Sequence, residues 1–340
     1  MAELTDSGVL LRMAYKAMIN AGIDADAVLA EVGLDRSVLD VQDLRTPHDA
    51  QEWFWQAIEK VSDNPYVGLH LGRHMPVFKG QVLEYLFLSS PNFGEGLQRA
   101  LNYQRLLSDA AKAELIFEGD RVFLRQMFWS PRLNHLNECM IMGIIKFFRF
   151  VTDGAFEPLE VHFGHARHAD IREYERVFEC PVKFEMPTMG MFFDASVMTL
   201  PSAHHEPELL HLHEQLASEQ VARLEKQDLV AKVNRQIGEL LESGHANLEE
   251  VAERLGIKAR QLRTRLADAG TNFNQLVADY RCRLAKRLLA GTDESIDEIV
   301  YLTGFSEPST FYRAFKRWVG MTPIEYRKLK AEEDAEATSV

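Results

Sequence analysis

The 340-residue sequence lacks several features that assign proteins to common classes. It has no run of about 18 uncharged apolar residues, and Glu3 and Asp6 lie where an export signal would be basic and then apolar. Three widely spaced cysteines form no Cys-x-x-Cys pair, so they predict neither a disulfide framework nor a zinc site. We therefore expect a cytoplasmic protein with reduced, mostly buried cysteines and no membrane partner.

Catalytic motifs of hydrolases and transferases are also missing, and only the histidines offer comparable chemistry. They form two groups: His162, His165 and His168, then His204, His205, His211 and His213. The first group is expected to cross from a strand end into a loop, and no cysteine or aspartate completes a ligand set. We therefore predict that the protein is not an enzyme, has no cofactor and binds no metal.

Charge is distributed unevenly along the chain. The net charge of −13 argues by itself against nucleic acid, because neutralising phosphates takes Lys and Arg. Residues 230–330 nevertheless carry 17 Lys and Arg against 13 Asp and Glu, or +4, whereas the rest carry 21 against 38, or −17. This segregation, together with the chain length, predicts two domains with different binding chemistry.

Residues 247–266 have the pattern of a helix-turn-helix unit. Asn247 provides an N-cap with a glutamate three residues later, and apolar residues then recur at helical spacing as far as Gly256. A second, arginine-rich helix follows, which buries Leu262 and Leu266. A helix, a glycine turn and an arginine-rich helix in this order are typical of DNA-binding helix-turn-helix units.

The same pattern returns about fifty residues later. Ser295 begins another capping box, Gly304 makes the turn, and Phe311 and Phe315 give the next helix its buried face. Residues 274–290 predict one long helix between the two units. Such a connector would present both recognition helices to successive major-groove segments about 34 Å apart.

The run that begins Gly304-Phe-Ser and continues Phe311-Tyr-Arg-Ala-Phe-Lys-Arg-Trp-Val-Gly-Met-Thr-Pro-Ile-Glu-Tyr-Arg resembles the carboxy-terminal signature of the AraC/XylS family of bacterial regulators. The resemblance covers about residues 230–330. It implies an all-α domain with two helix-turn-helix units joined by a long helix, which binds double-stranded promoter DNA.

The resemblance also implies that exposed residues near the start of each recognition helix read base edges. The matching positions here are Arg260, Arg263, Thr264, Pro308, Ser309 and Arg313. Pro308 and Ser309 are weak hydrogen-bond readers, so we expect Arg313 and phosphate contacts to dominate in the second unit. Candidate contacts to the DNA backbone are Arg265, Arg281, Arg283, Lys286, Arg287, Thr310, Lys316 and Arg317, for which a merely solvated helix surface is the alternative.

The first 204 residues predict an α+β domain. Helical spacing dominates to about residue 107, and residues 113–129 then alternate about a Gly-Asp turn, which predicts a hairpin. A long apolar helix at 136–151 and further strands follow. Four motifs resemble the sensor domain, often labelled arabinose-binding, of some AraC-type regulators: Leu159-Glu-Val-His-Phe, Tyr174-x-x-x-Phe, Cys180-Pro-Val-Lys-Phe and Leu200-Pro.

Aromatic and methionine side chains are concentrated in this domain and predict a pocket for an apolar or partly apolar effector. Core packing is the simpler interpretation for any one of them. The candidate pocket residues are Trp53, Met142, Phe147, Met191 and Phe193. The sequence lacks the repeated polar side chains expected of a dedicated sugar site.

The predicted organisation has four parts: a ligand-sensing and dimerisation domain (1–204), a helical linker (205–229), the double helix-turn-helix domain (230–330) and a disordered tail (331–340). A small-molecule effector would shift the population that is competent to bind DNA. We expect a homodimer on paired half-sites, with RNA polymerase as a further partner if the protein is an activator. Two alternatives stay open: a metal-responsive regulator, and a ligand-independent regulator controlled by protein contacts.

Overall fold

The computed structural model describes residues 4–127, 130–241 and 246–338, with no side-chain description at 131 and 334–338. The chain divides into two compact units, 1–221 and 222–340, of which the first is α+β and the second is all-α. Across the described residues, no helix combines the length and the hydropathy needed to cross a membrane.

The first part of unit 1 is helical, as its sequence predicts. Its six helices are α1 (Gly8–Ala21), α2 (Ala25–Glu31), α3 (Ala50–Ser62), α4 (Val67–His74), α5 (Val82–Ser89) and α6 (Phe93–Asn102). Two short antiparallel strands, β1 (Thr5–Ser7) and β2 (Arg45–Pro47), were not expected. They are held by Arg45, whose guanidinium donates to the Thr5 carbonyl at 2.8 Å and to Asp109 at 3.2 Å.

A five-stranded mixed sheet completes unit 1. The strands are β3 (Ala113–Glu118), β4 (Arg121–Gln126), β5 (Pro158–His162), β6 (Val182–Lys183) and β7 (Met189–Asp194), in the order β3-β4-β7-β5-β6. Within the described residues, β3 and β4 form the predicted hairpin, with Ala113 opposite Gln126. Among the strands of the described residues, β5 and β6 are the one pair that runs parallel. The strand β6 ends at Lys183, two residues before Glu185, which adopts a left-handed backbone with φ +56° that a strand does not accommodate.

The core of unit 1 lies between this sheet and the apolar helix α7 (Asn134–Val151), with α8 (Ile171–Phe178) beside it. Phe93, Phe148, Phe156 and Phe193 pack with ring centres 5.0–6.0 Å apart. Burying one such ring contributes roughly 2–3 kcal/mol. A second core joins α1, α2 and α3.

The next helix, α9 (Pro207–Leu241), is 35 residues long. Leu210 and Ala217 are buried within unit 1, and Val233 and Ile237 are buried within unit 2. The predicted linker at 205–229 is therefore part of one continuous helix that also supplies core residues to both units.

Unit 2 contains the two predicted helix-turn-helix motifs. Its remaining helices are α10 (Leu248–Arg254), α11 (Ala259–Asp268), α12 (Phe273–Gly291), α13 (Ile296–Leu302), α14 (Pro308–Val319) and α15 (Pro323–Thr338). Asn247 Oδ1 accepts from the Glu250 amide at 2.9 Å, and Ser295 Oγ accepts from the Glu298 amide at 3.1 Å, so both predicted N-caps form. The turns need glycine because φ is +68° at Gly256 and +72° at Gly304.

The predicted disordered tail is wrong for residues 331–338, which continue α15. Ala and Glu favour helix there, and two lysines of the preceding turn pair with Glu332 at 3.9 Å and Glu333 at 2.5 Å. The last two residues of the predicted tail lie outside the described residues.

Candidate nucleic-acid interface and effector cavity

The first recognition helix, α11, presents a polar face away from its core. Leu262 and Leu266 are fully buried and fix the rotation of the helix. Arg260 and Thr264, one turn apart, lie roughly 160–200° around the helix from Leu262 and are exposed. The Thr264 hydroxyl donates to the Arg260 carbonyl at 3.1 Å, which leaves its oxygen lone pairs and its methyl group for a partner.

The arginines at 263 and 265 flank this face. Each lies roughly 60–100° from the buried stripe, on opposite sides of the helix, and both are exposed. If Arg260 enters a groove of DNA, side chains in such positions can reach the two sides of that groove.

The second recognition helix, α14, is built on Phe311 and Phe315, both fully buried. Ser309 and Arg313 are exposed on the opposite face, and the Arg313 Nε donates to the Ser309 carbonyl at 3.3 Å. Pro308 occupies the first turn, where a missing N–H costs little, and lies roughly 60° from the buried stripe. The other predicted contacts on this helix, Thr310, Lys316 and Arg317, are exposed.

The two recognition helices hold the positive charge of their domain. Together α11 and α14 contain six Lys and Arg and one acidic residue, Asp268, for a net +5. Residues 230–330 as a whole carry only +4, so the rest of that segment is slightly acidic. A surface of this kind attracts phosphates most strongly along the recognition helices, and α12 is a further basic element.

Arg281, a predicted backbone contact, has an internal role in unit 2. Its Nη2 donates to the Gly304 carbonyl at 2.9 Å, and its guanidinium carbon lies 4.7 Å from the centre of the Phe305 ring. Burial lowers the pKa of the Arg281 side chain. The residue connects α12 to the glycine turn of the second motif, so we remove it from the candidate phosphate contacts.

The other predicted contacts on α12 are more accessible. Arg283 and Arg287 are exposed and Lys286 is half-buried. The guanidinium of Arg283 lies 5.9 Å from the centre of the Tyr280 ring, which leaves its donors available to solvent.

Unit 1 contains a cavity of about 1120 Å³. Its lining comes from α1, α3, α6, α7 and the β3–β4 hairpin, and is mostly Leu, Ala, Met and aromatic side chains. Phe147 lines it as predicted, and Trp53 lines it as a 64% exposed side chain. This position, between the helical layer and the sheet, makes the cavity the candidate effector site.

Three predicted pocket residues, Met142, Met191 and Phe193, are core residues and do not line this cavity. Met142 packs where α7 meets Gly72 of α4, and a Cβ placed on that glycine would lie 3.0 Å from it. Met191 and Phe193 are fully buried on β7. Apolar composition alone did not distinguish a cavity wall from a filled core.

The charged side chains in the lining form pairs. Asp6 accepts from Gln51 at 2.9 Å and from Ser108 at 2.5 Å, and its Oδ2 lies 2.9 Å from the His48 Nδ1. Burial alone would raise the pKa of Asp6, but these hydrogen bonds and the imidazole hold it below its ordinary value. The hydrogen bond to Asp6 raises the pKa of His48. Lys60 and Glu31 pair at 2.6 Å.

Gln126 and Gly143 are among the lining residues that the sequence reasoning missed. Gln126 is buried at the end of β4, where its Oε1 has no hydrogen-bond partner among the described residues and its Nε2 lies 3.9 Å from the Met140 sulfur. Gly143 lies in the middle of α7, and a Cβ built on it would meet nothing within 4 Å. A glycine inside an apolar 18-residue helix was the available signal.

The histidine groups do not converge. His162 pairs with Glu160 at 2.5 Å, His165 stacks on His168 with ring centres 5.7 Å apart, and His213 stacks on Tyr85 at 5.3 Å. In the parts of the chain that the structure describes, no three His, Cys, Asp or Glu side chains are placed to hold a metal ion.

Glu138 of α7 is a buried carboxyl group in unit 1 with a strongly raised pKa. It is 2% exposed, accepts a hydrogen bond from the Tyr174 hydroxyl at 2.7 Å and lies 3.9 Å from His165 Nε2. Burial raises its pKa to about 7, despite the opposing effect of the Tyr174 hydrogen bond. Its charge state therefore changes near neutral pH.

Comparison with protein families matches both units. The family model described as the arabinose-binding domain of AraC transcription regulators matches residues 22–202, and a helix-turn-helix domain model matches residues 251–329. The first match alone covers more than half of the chain.

Curated relatives agree with these matches. The ornithine utilization regulator of Pseudomonas aeruginosa is 31% identical over 269 residues, which are 78% of this chain and 79% of the relative. The regulator VqsM of the same organism is 30% identical over 270 residues, 76% of this chain and 83% of the relative. A crystal structure of the regulator CdpR, also from that organism, aligns with 88% of this chain and 97% of its own, at 23% identity and TM-score 0.43.

The family assignment rests on the two family models and on the length over which the relatives match. These relatives are transcriptional regulators, and the two matched domains are those of effector-controlled DNA binding. The chain belongs to the AraC family of DNA-binding transcription regulators, with an arabinose-binding-type amino-terminal domain and a helix-turn-helix carboxy-terminal domain.

Proposed function

We propose that this regulator reads paired promoter half-sites with α11 and α14, under the control of a small molecule held in the cavity of unit 1. The observation that carries the DNA half is the net +5 on these two helices within a protein of net charge −13. Since DNA affinity comes largely from phosphate neutralisation, the surface of α11 and α14 is the part of this acidic protein best suited to bind DNA.

Bases are read mainly by the first helix-turn-helix motif of unit 2. Arg260 lies on the outermost face of α11, where its planar guanidinium can donate to the O6 and N7 atoms of a guanine. Thr264, beside it, offers a methyl group to thymine. In the second helix-turn-helix motif, Arg313 takes the corresponding outward position on α14. Ser309 and Pro308 contribute to the fit of the helix against the bases more than to hydrogen bonds. Arg263 completes the base-reading set at the edge of α11.

Backbone contacts surround these readers. We assign them to Arg265, Arg283, Lys286, Arg287, Thr310, Lys316 and Arg317, all at least partly accessible. Such contacts fix the position of the domain on the duplex without carrying sequence information.

Dimerisation is proposed through α9. Leu209, Leu212 and Leu216 share one face of this helix and are 48%, 57% and 45% exposed. An apolar stripe of this length beside charged residues is typical of a helix–helix contact between subunits. Changing Leu212 and Leu216 together to Ser should shift the sedimentation of the protein toward the monomer, and unchanged sedimentation would contradict this interface.

We further propose that the protein works in the cytoplasm, without catalysis, and contacts RNA polymerase if it activates transcription. We rank the metal-responsive alternative lower, since His162 contacts a carboxylate, His165 stacks on His168, and His205 contacts a backbone carbonyl elsewhere in the chain.

Capture of genomic DNA tests the proposal directly. Sheared DNA from the source organism is incubated with the full-length protein at near-physiological salt, and the retained fragments are sequenced. A few fragments that share paired half-sites would support it, and the same experiment with Arg260→Ala should lose them. Arg176→Ala, which removes an equal charge from exposed α8, is the matched control. Uniform recovery by the wild type, with and without effectors, would contradict sequence-specific binding.

A further inference from the structure

The lining of the cavity in unit 1 indicates the charge of its occupant. Four of the described lining residues are ionisable, and they form two pairs, Asp6 with His48 at 2.9 Å and Glu31 with Lys60 at 2.6 Å. Lys60 and Glu31 are exposed, so the pair that is held inside is the one made by Asp6, whose side chain is 2% exposed. An ionic ligand would have to break that buried pair or remain without a counterion in an apolar site, and both are unfavourable. The lining therefore favours an uncharged molecule.

One polar group in the lining is left without a strong partner. The side-chain amide of Gln126 is 6% exposed as a residue, and its contacts within the described residues are limited to the weak approach of Met140 sulfur at 3.9 Å. A buried amide in this condition is unfavourable for the empty protein. A ligand with one neutral hydrogen-bonding group can satisfy it.

Gly143 places open space next to this amide. Met140 and Gly143 are three residues apart on α7, so they share a face of that helix. A glycine destabilises the middle of a helix relative to alanine, and here the missing side chain would have pointed into empty volume. The site thus combines an unsatisfied amide with an apolar space beside it.

We propose that the effector is an uncharged, largely apolar molecule with one neutral hydrogen-bonding group, which binds at the Gln126 amide while its apolar body lies along α7 at Gly143. The cavity of about 1120 Å³ is slightly larger than typical small-molecule pockets, which are roughly 300–1000 Å³. This inference rests on the proposed function, because it takes the cavity as the effector site.

The charge of the ligand is tested with three probes of one chain length: decanamide, decanoate and decylammonium. Their affinities for the full-length protein are measured by titration calorimetry at pH 7.5. Decanamide should bind at least tenfold more tightly than either ion. Comparable or tighter binding of an ion, or no binding by any of the three, would overturn the inference.

The location is tested with two variants of α7. Gly143→Leu should reduce decanamide affinity at least tenfold by filling the space, while its melting temperature stays equal or rises because leucine favours helix. Gly143→Ala, the matched control, should bind within about threefold of the wild type. Unchanged binding by Gly143→Leu would place the ligand elsewhere and overturn the assignment.

A variant on another element keeps the test valid if Gly143→Leu fails to fold. Gln126→Met preserves size and removes the amide, and it should weaken decanamide at least fivefold. Equal affinity would overturn the assigned polar contact.

Failure of this inference can be separated from failure of the proposed function. If a charged compound binds in place of decanamide and alters DNA affinity, the control of DNA binding by an effector is supported and the assignment of an uncharged ligand is wrong. If decanamide binds at Gly143 but the affinity for captured half-sites is unchanged, the ligand class stands and effector control by this cavity falls.

Discussion

The two compact units of this protein treat charged side chains in opposite ways. Unit 2 displays arginines singly on the outer faces of α11 and α14, where their side chains are exposed. Unit 1 pairs the ionisable side chains around its cavity, as with Asp6 and His48. On our proposals, this difference lets one chain combine a DNA-binding surface with a cavity that disfavours ions, because each unit keeps its own charge arrangement.

The largest expected effect comes from removing the outermost arginine of unit 2. Arg260→Ala should weaken binding to a cognate half-site by about 1–3 kcal/mol and relax the preference at one base pair. Fluorescence anisotropy with cognate and single-substituted duplexes measures both. Equal binding to all duplexes before and after the change would place base reading elsewhere.

Glu138 is a buried carboxyl group of unit 1, in contrast to the exposed arginines of unit 2. The folded-state pKa of Glu138 is raised to about 7 from 4.5, so its contribution to stability is present below about pH 4.5 and is lost as pH rises through 7. Glu138→Gln should therefore stabilise the protein by roughly 1–3 kcal/mol at pH 8 and little at pH 4.5. Thermal unfolding at both pH values measures this.

The control for that experiment is Glu175→Gln on the exposed face of α8, which should show no such pH-dependent gain. A gain at pH 8 no larger than that at pH 4.5 would mean that the pKa of Glu138 is not raised in the folded protein.

Arg281 is the exception within unit 2, since its charge is used internally. Arg281→Met should destabilise this unit by about 1–2 kcal/mol through loss of the bond to the Gly304 carbonyl and the contact with Phe305. The salt dependence of DNA affinity should stay as in the wild type, as measured by anisotropy at several salt concentrations. A reduced slope with normal stability would restore Arg281 to the phosphate contacts.

The smallest expected effect is at a phosphate contact. Lys316→Ala should weaken cognate and unrelated DNA equally, by a few-fold, and lower the slope of log affinity against log salt by about 1. A change confined to the cognate duplex would instead make Lys316 a base reader.

Periodicity and capping residues predicted most of unit 2 correctly, including both motifs and their turns at Gly256 and Gly304. These are local signals: the cap at Asn247 and the buried stripe of α11 depend on residues a few positions apart. The tail was the exception, since acidic composition was interpreted as disorder although its alanines and glutamates continue α15.

Local sequence patterns identified the family, the charge segregation and the outward faces of the recognition helices, because these follow from residue order along single helices. Contacts in the folded structure were needed to show that Arg281 bonds the Gly304 carbonyl, that Met191 and Phe193 are core, and that Gln126 and Gly143 line a cavity. Each of those depends on contacts between elements far apart in the sequence. A pattern within one element cannot report what another element packs against it.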